Sequence, residues 1–312
     1  MSARSTGTTM KQEQTADTAI IGLSLPHGYL CGAISTPSSR SIYEPFGPAA
    51  AAMELFRRHG VRAIEIRHFP EMVRADLIVQ GCRAILQAGL QVTLHPATPS
   101  STSASRLADL FPWIGDVLQQ LAGNQESLLL TMHGYAQAHG DEVELSNRTQ
   151  ALFTSLADLA ERESAPVTFA LELSRAKGVV DPANNYTVTA DLCARIDRDR
   201  VGICWDWGHG YSNVLKGSME PDLPEAFLER VIHTHIHGVG PTGRTHWPLN
   251  RSRLPLAQYA AALLDRGYHG VFTLELSPER YSAEGPVGPS FLDSLLLLKN
   301  TLNNIKKKNY QH

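Results

Sequence analysis

Lysine is scarce in this chain. It occurs only at positions 11, 177, 216, 299 and 306–308, and 28 basic residues face 31 acidic ones, for a formal charge of −3. Wrapping nucleic acid needs a basic face to neutralise phosphate, so this balance argues against a nucleic-acid partner. Cysteine is scarcer still. Cys31, Cys82, Cys193 and Cys204 include no C-x-x-C pair, which argues against a zinc ribbon or a thioredoxin-type site. They read as reduced thiols of a cytoplasmic protein. No run of ~18 apolar residues is long enough to cross a bilayer. Residues 1–16, MSARSTGTTMKQEQTA, lack the apolar core of a secretion signal and read as a disordered tail. Residues 307–312 read as a basic tail. The hydrophobic share of 43% is ordinary for a globular chain, so residues 17–306 are expected to fold, and barrels of ~250 residues form single domains. What the sequence has in excess is histidine: thirteen, three of them in His233-Thr-His235-Ile-His237.

Between the tails, short apolar runs alternate with amphipathic ones. The runs 63–68, 91–95, 128–133, 167–174, 201–207, 231–237 and 271–277 read as strands. An earlier strand is expected within 18–25, with 29–35 as a competitor. Helices are expected near 47–59, 71–88, 104–122, 147–163, 187–197, 223–230, 255–266 and 289–306. Eight strand–helix units at this spacing imply a parallel sheet closed into a single (β/α)8 TIM barrel, an α/β fold.

Side chains alternate faces along a strand with period two. One face of each strand is large and apolar, suited to packing on helices. The other is small or polar and ends in a group able to bind a metal: His95, His133, Glu172, Asp206 and Glu275, with His233, His235 and His237 sharing that face of the seventh strand. In a barrel that face points inward, and its C-terminal end is the active-site mouth. Carboxylates and imidazoles gathered at one point repel or desolvate one another unless a cation lies between them. Glu172, Asp206, a histidine of the seventh strand and Glu275 come from four consecutive strands and can form an arc around one divalent ion. Mixed oxygen and nitrogen donors suit Mn²⁺, Mg²⁺, Co²⁺ or Zn²⁺.

The motifs LELS around Glu172, CWDWGH with Asp206 and His209, HTHIHG with His235, and LELS around Glu275 resemble the sugar isomerase/epimerase branch of the xylose isomerase-like TIM barrels. The resemblance runs from about residue 18 to 305, and the same superfamily includes a DNA-repair AP endonuclease. It implies that Glu172, Asp206, His235 and Glu275 bind one divalent metal, and that His209 contacts substrate or a second metal. His237 is the alternative ligand. The family pattern H-x-x-D/E has Gly238 in place of its acid, which leaves the partner of the metal-binding histidine open. His95, His133 and His246 occupy places that resemble ligands of the endonuclease's multinuclear zinc cluster, but Arg244 stands where that enzyme has an aspartate. These histidines serve either substrate hydroxyls or a second ion.

The resemblance implies a mechanism in which Glu172 and Glu275 flank a small sugar, sugar phosphate or polyol. One carboxylate removes the proton beside the carbonyl, and the other returns it to the opposite face of the ene-diolate or to the neighbouring carbon. That is epimerisation or isomerisation. A dehydratase on the same scaffold and an AP-endonuclease-like metallohydrolase of phosphate esters are the alternatives. Glu65, Arg244 and Trp247 are weaker candidates for substrate contacts, and Glu65 with Arg67 could equally form an ion pair inside the barrel. A homo-oligomer is allowed. Gly238, Gly240 and Gly243 spell G-x-G-x-x-G, but Pro241 and Pro248 punctuate the same stretch. No dinucleotide helix, and hence no nucleotide cofactor, is expected. That loop could instead receive a substrate phosphate, with Arg244 assisting.

Overall fold

The apolar runs form eight parallel strands, in a computed structural model that describes residues 19–69 and 73–309. The expected tail at 1–16 lies outside these residues. The strands are β1 (Ile20–Pro26), β2 (Val61–Phe69), β3 (Gln91–Pro96), β4 (Leu128–Met132), β5 (Val167–Glu172), β6 (Val201–Asp206), β7 (Val231–Ile236) and β8 (Val271–Leu274). Each pairs with its neighbours in sequence, and β8 pairs with β1, so the barrel closes in the order β1 to β8. The run 29–35 is not a strand: a short helix, His27–Leu30, comes directly after β1 there.

The outer faces carry the packing. Trp205 is fully buried against Tyr259, Phe227 and Tyr186, with ring centroids 4.8, 5.8 and 6.2 Å away. Val92, Leu94, Leu130, Phe169, Leu171, Ile203 and Phe272 are likewise buried beneath the helices. The inner faces hold what parity assigns to them: Ser24, Glu65, Arg67, Thr93, Thr131, Glu172, Cys204, Asp206, His233, His235, Thr273 and Glu275 are all buried.

The helices keep the expected order with local changes. The expected helix near 104–122 is broken into Leu107–Leu110 and Ile114–Leu121. Pro112 explains the break, because it keeps Phe111 out of the helical region and lacks an N–H to continue the ladder. The next helix begins early, at Glu142, where the Asp141 side chain accepts from the backbone N–H groups of Val143 and Glu144. The expected 223–230 helix shrinks to Glu225–Leu228. Besides His27–Leu30, two longer helices were not anticipated: Pro37–Phe46, capped by Thr36, and Trp207–Leu215, capped by Asp206. The closing helix, Val287–Asn309, carries Lys306–Lys308 in its last turn, where cations complement the helix dipole.

Candidate metal centre and active site

The site is built at the C-terminal ends of the strands, beginning with β6. Asp206 ends that strand and caps the next helix, its Oδ1 accepting from the backbone N–H of His209 at 2.7 Å. Capping therefore fixes the D-x-x-H spacing. The third helical residue must return beside the cap, and His209 Nδ1 stands 3.1 Å from Asp206 Oδ2. Gly208 in the same turn leaves room for His237, since a Cβ there would lie 1.9 Å from that ring.

Glu172, Asp206, His235 and Glu275 each present one donor atom, all within 4.8 Å of one another. His235 Nδ1 lies 3.3 Å from Glu172 Oε1 and 3.5 Å from Glu275 Oε2. His235 Nδ1, Glu172 Oε2 and Glu275 Oε2 are buried, yet none has a hydrogen-bond partner among the described residues. Leaving such atoms unpaired is costly. A cation with bonds of ~2.1 Å holds its ligands roughly 3–4.2 Å apart, a range that includes the 3.3 and 3.5 Å separations at His235. The residues present fit a divalent ion.

The other nitrogen of His235 explains the missing acid at Gly238. Nε2 donates to Glu65 at 3.0 Å. Glu65 also accepts from His233 Nε2 at 3.2 Å and from the Ser24 hydroxyl at 2.7 Å. The partner thus comes from β2, across the barrel. Burial would raise the Glu65 carboxyl, but His235 and His233 outweigh it and hold it well below the usual range. An N–H directed to Glu65 leaves Nδ1 of His235 as the lone-pair donor facing the carboxylates. Glu65 lies beneath the site rather than in the cavity lining. His233 lies deeper, within 3.4 Å of Thr273 Oγ1. Arg67 does not pair with Glu65. Its guanidinium donates to Glu275 Oε1 at 3.1 Å and to the Leu276 carbonyl at 2.5 Å.

His95 and His133 flank Glu172. Their Nε2 atoms stand 3.0 and 3.3 Å from Oε2, out of hydrogen-bonding alignment. Burial disfavours charge on His95, but Glu172 overrides it and lifts the imidazole to about 9. Glu172 in turn sits well below the usual carboxylate range, because His133, His95 and His235 outweigh its burial. On the other side of Asp206, His209, His237 and His246 form a second group of three donors. His237 is not among the first four. Its Nε2 meets Asp206 Oδ1 at 3.0 Å, and its Nδ1 accepts from the backbone N–H of His246 at 2.9 Å. His246 has a φ of +60°, a strained conformation for a non-glycine residue. Burial pushes His209 down to about 4, only partly offset by Asp206.

A cavity of about 280 Å³ opens above these groups, lined by Phe69, His95, Thr98, His133, Glu172, Lys177, His209, His246, Glu275 and Arg280 among others. Small-molecule sites run from ~300 Å³ upward, so this space stands at the small end of that range, suited to a ligand no larger than a monosaccharide. A larger depression of about 710 Å³ lies at the opposite end of the barrel, but metal-capable groups do not converge on it. Besides Glu65, two expected contacts are absent from the lining. Trp247 is buried against Tyr281 and beneath Gly240, because its backbone pairs with Gly238. Arg244 is exposed on its loop. Phe69 and Arg280 were not singled out from sequence. Phe69 ends β2, two residues after Arg67, and Arg280 follows Glu275 in the loop after β8; nearness to an inner strand end is the signal that could have found them.

Comparison with solved structures shows the same fold. D-psicose 3-epimerase from Clostridium cellulolyticum H10, solved with D-tagatose, superposes with a TM-score of 0.60 at 15% identity, covering 91% of this chain and 99% of that one. An L-ribulose 3-epimerase gives 0.61 at 17% identity, covering 94% and 98%. An uncharacterized protein of Methanocaldococcus jannaschii is 48% identical over 60 residues, which are 18% of this chain and only 22% of that protein's length. The sequence model of the family described as xylose isomerase-like TIM barrel matches residues 53–298, so the chain belongs to that family.

Proposed function

We propose that this protein is a divalent-metal-dependent isomerase or epimerase of a small sugar, sugar phosphate or polyol. The observation that carries the reading is the convergence of Glu172, Asp206, His235 and Glu275, with three of their buried polar atoms lacking a hydrogen-bond partner among the described residues. The structural similarity to a psicose and a ribulose 3-epimerase supports it. When bound, a divalent cation supplies Lewis acidity, polarising a carbonyl and acidifying the neighbouring C–H. The chain's own residues do the rest. Glu172 from β5 and Glu275 from the end of β8 both stand within 3.5 Å of His235 Nδ1, and on this reading they address two faces of a sugar. One takes the proton, and the other delivers one to the opposite face or to the adjacent carbon. Arg67 holds Glu275 by one oxygen and leaves the other toward the cavity. His95, His133, His209 and His246 line the space where hydroxyls would lie.

A second reading, a metallophosphoesterase, is favoured by one observation: the donors of His209, His237 and His246 lie within 4.8 Å of one another and could hold a further ion. Metal analysis of the purified protein separates the two. One ion per chain supports the isomerase or epimerase, and two or three support the esterase. In the first case, Glu275→Gln is expected to keep the fold by circular dichroism and lose about 10²–10⁴-fold in turnover. Near-wild-type turnover in that variant would remove the two-carboxylate mechanism.

A further inference from the structure

The lip of the cavity carries cations that the proposed proton transfer does not use. Arg175 and Lys177 come from the loop after β5, and Arg280 from the loop after β8. Two of them converge on one hydroxyl. Arg175 Nη1 donates to Thr245 Oγ1 at 3.1 Å, and Arg280 Nη1 donates to the same oxygen at 3.2 Å and to the Thr245 carbonyl at 3.3 Å. Thr245 is buried and directly precedes His246. Lys177 and Arg280 line the same cavity as Glu172 and Glu275.

None of these cations is held in a direct ion pair, although Glu279 and Glu275 act on Arg280, and Asp181 on Lys177, from farther away. Among the described residues, no carboxylate oxygen stands within 4.0 Å of Arg175, Lys177 or Arg280. Arg175 Nε is buried without a hydrogen-bond partner. Glu279, the neighbour of Arg280, accepts from Ser41. Asp181 is engaged by the backbone N–H of Ala183, and burial pushes its carboxyl up toward the neutral form. Inside the barrel, Glu275 already has Arg67, and Glu172 already has its imidazoles. Like charges held together beside an open cavity repel unless an anion enters between them. Burial lowers Arg280's hold on its proton, Glu279 and Glu275 only partly oppose this, and Arg67 and Arg175 add to the lowering.

We infer that the substrate carries an anionic group, a phosphate or a carboxylate, on a carbon remote from its carbonyl, and that Arg280, Arg175 and Lys177 bind it at the rim while the carbonyl end reaches Glu172 and Glu275. The inference rests on the isomerase or epimerase reading and narrows its substrate class. It also relocates the phosphate role that the Gly-rich loop suggested. Thr245 of that loop anchors the two guanidiniums, and Arg244 points elsewhere.

The test is calorimetric titration of the metal-loaded protein with D-ribulose 5-phosphate, D-fructuronate (ketone at C2, carboxylate at C6) and neutral D-ribulose, with solvent-proton exchange measured on each. The two anionic probes distinguish phosphate from carboxylate. At least one should bind about tenfold or more tightly than the neutral ketose, the difference one charge-assisted contact makes, and the margin should shrink with added salt. Arg280→Gln and Lys177→Gln, both exposed positions, should each reduce the anionic-over-neutral preference about tenfold, by raising KM more than lowering kcat. Exchange on D-ribulose with no preference for either anion overturns this inference and leaves the isomerase or epimerase reading standing. An anion preference that both variants reduce, with no exchange on any sugar, keeps the anion subsite and removes that reading.

Discussion

At the scale of single residues, Glu65 repays the closest reading. It is buried at the centre of the barrel, holds His235 Nε2 at 3.0 Å, and has its other contacts met by His233 and Ser24. A carboxylate behind a metal-binding imidazole fixes the tautomer and raises the basicity of the ligating nitrogen. Glu65→Gln keeps the shape and removes the charge. The expected outcome is a metal affinity about 10–100-fold weaker, measured by competition with a chromogenic chelator. An affinity within twofold of wild type would reduce Glu65 to a filler of the barrel. Arg67 plays the corresponding part for Glu275, since a buried guanidinium at 3.1 Å keeps one carboxylate oxygen occupied and the other aimed.

Among the elements, the helix Trp207–Leu215 does most to assemble the site. Asp206 ends a strand, caps this helix and faces His209 and His237. The geometry tolerates no side chain at Gly208, where a Cβ would meet the His237 ring at 1.9 Å. Gly208→Ala must displace either the ring or the helix. Overpacking of this kind costs about 1–3 kcal/mol, to be read from a denaturant unfolding curve. The same variant should lower metal affinity, because Asp206 moves with the cap. Unchanged stability and metal binding would mean that the turn and ring are looser than this packing implies. This helix was not read from sequence, because its residues continue the apolar strand pattern through Trp207 and only the cap geometry ends it. The broken helix at Pro112 was legible in principle, since proline marks the breaking point.

For the molecule as a whole, closure of the barrel decides which parts of the site the sequence reveals. The period-two alternation is local, so the inner-face set His95, His133, Glu172, Asp206, His235 and Glu275 could be read strand by strand. Contacts between strands that are not neighbours could not. Glu65 of β2 reaches His235 of β7, and Arg67 reaches past β1 to Glu275. These pairings depend on the register of a closed barrel, which parity does not supply. Loop residues were harder still. Trp247 and Arg244 sit close to His246 in sequence, yet one is buried in the loop's own packing and the other faces solvent. Arg280, farther along the chain, reaches the cavity instead. In the function proposed, the closed barrel sets two carboxylates, at the ends of β5 and β8, to move a proton at carbon. Incubation of the metal-loaded protein in D2O with a panel of ketoses, ketose phosphates and keto-acids tests this, with NMR reading deuterium at the carbon beside the carbonyl. The account predicts incorporation into at least one substrate, lost on Glu172→Gln and on Glu275→Gln. Incorporation into none, with phosphate released from an ester instead, would contradict it.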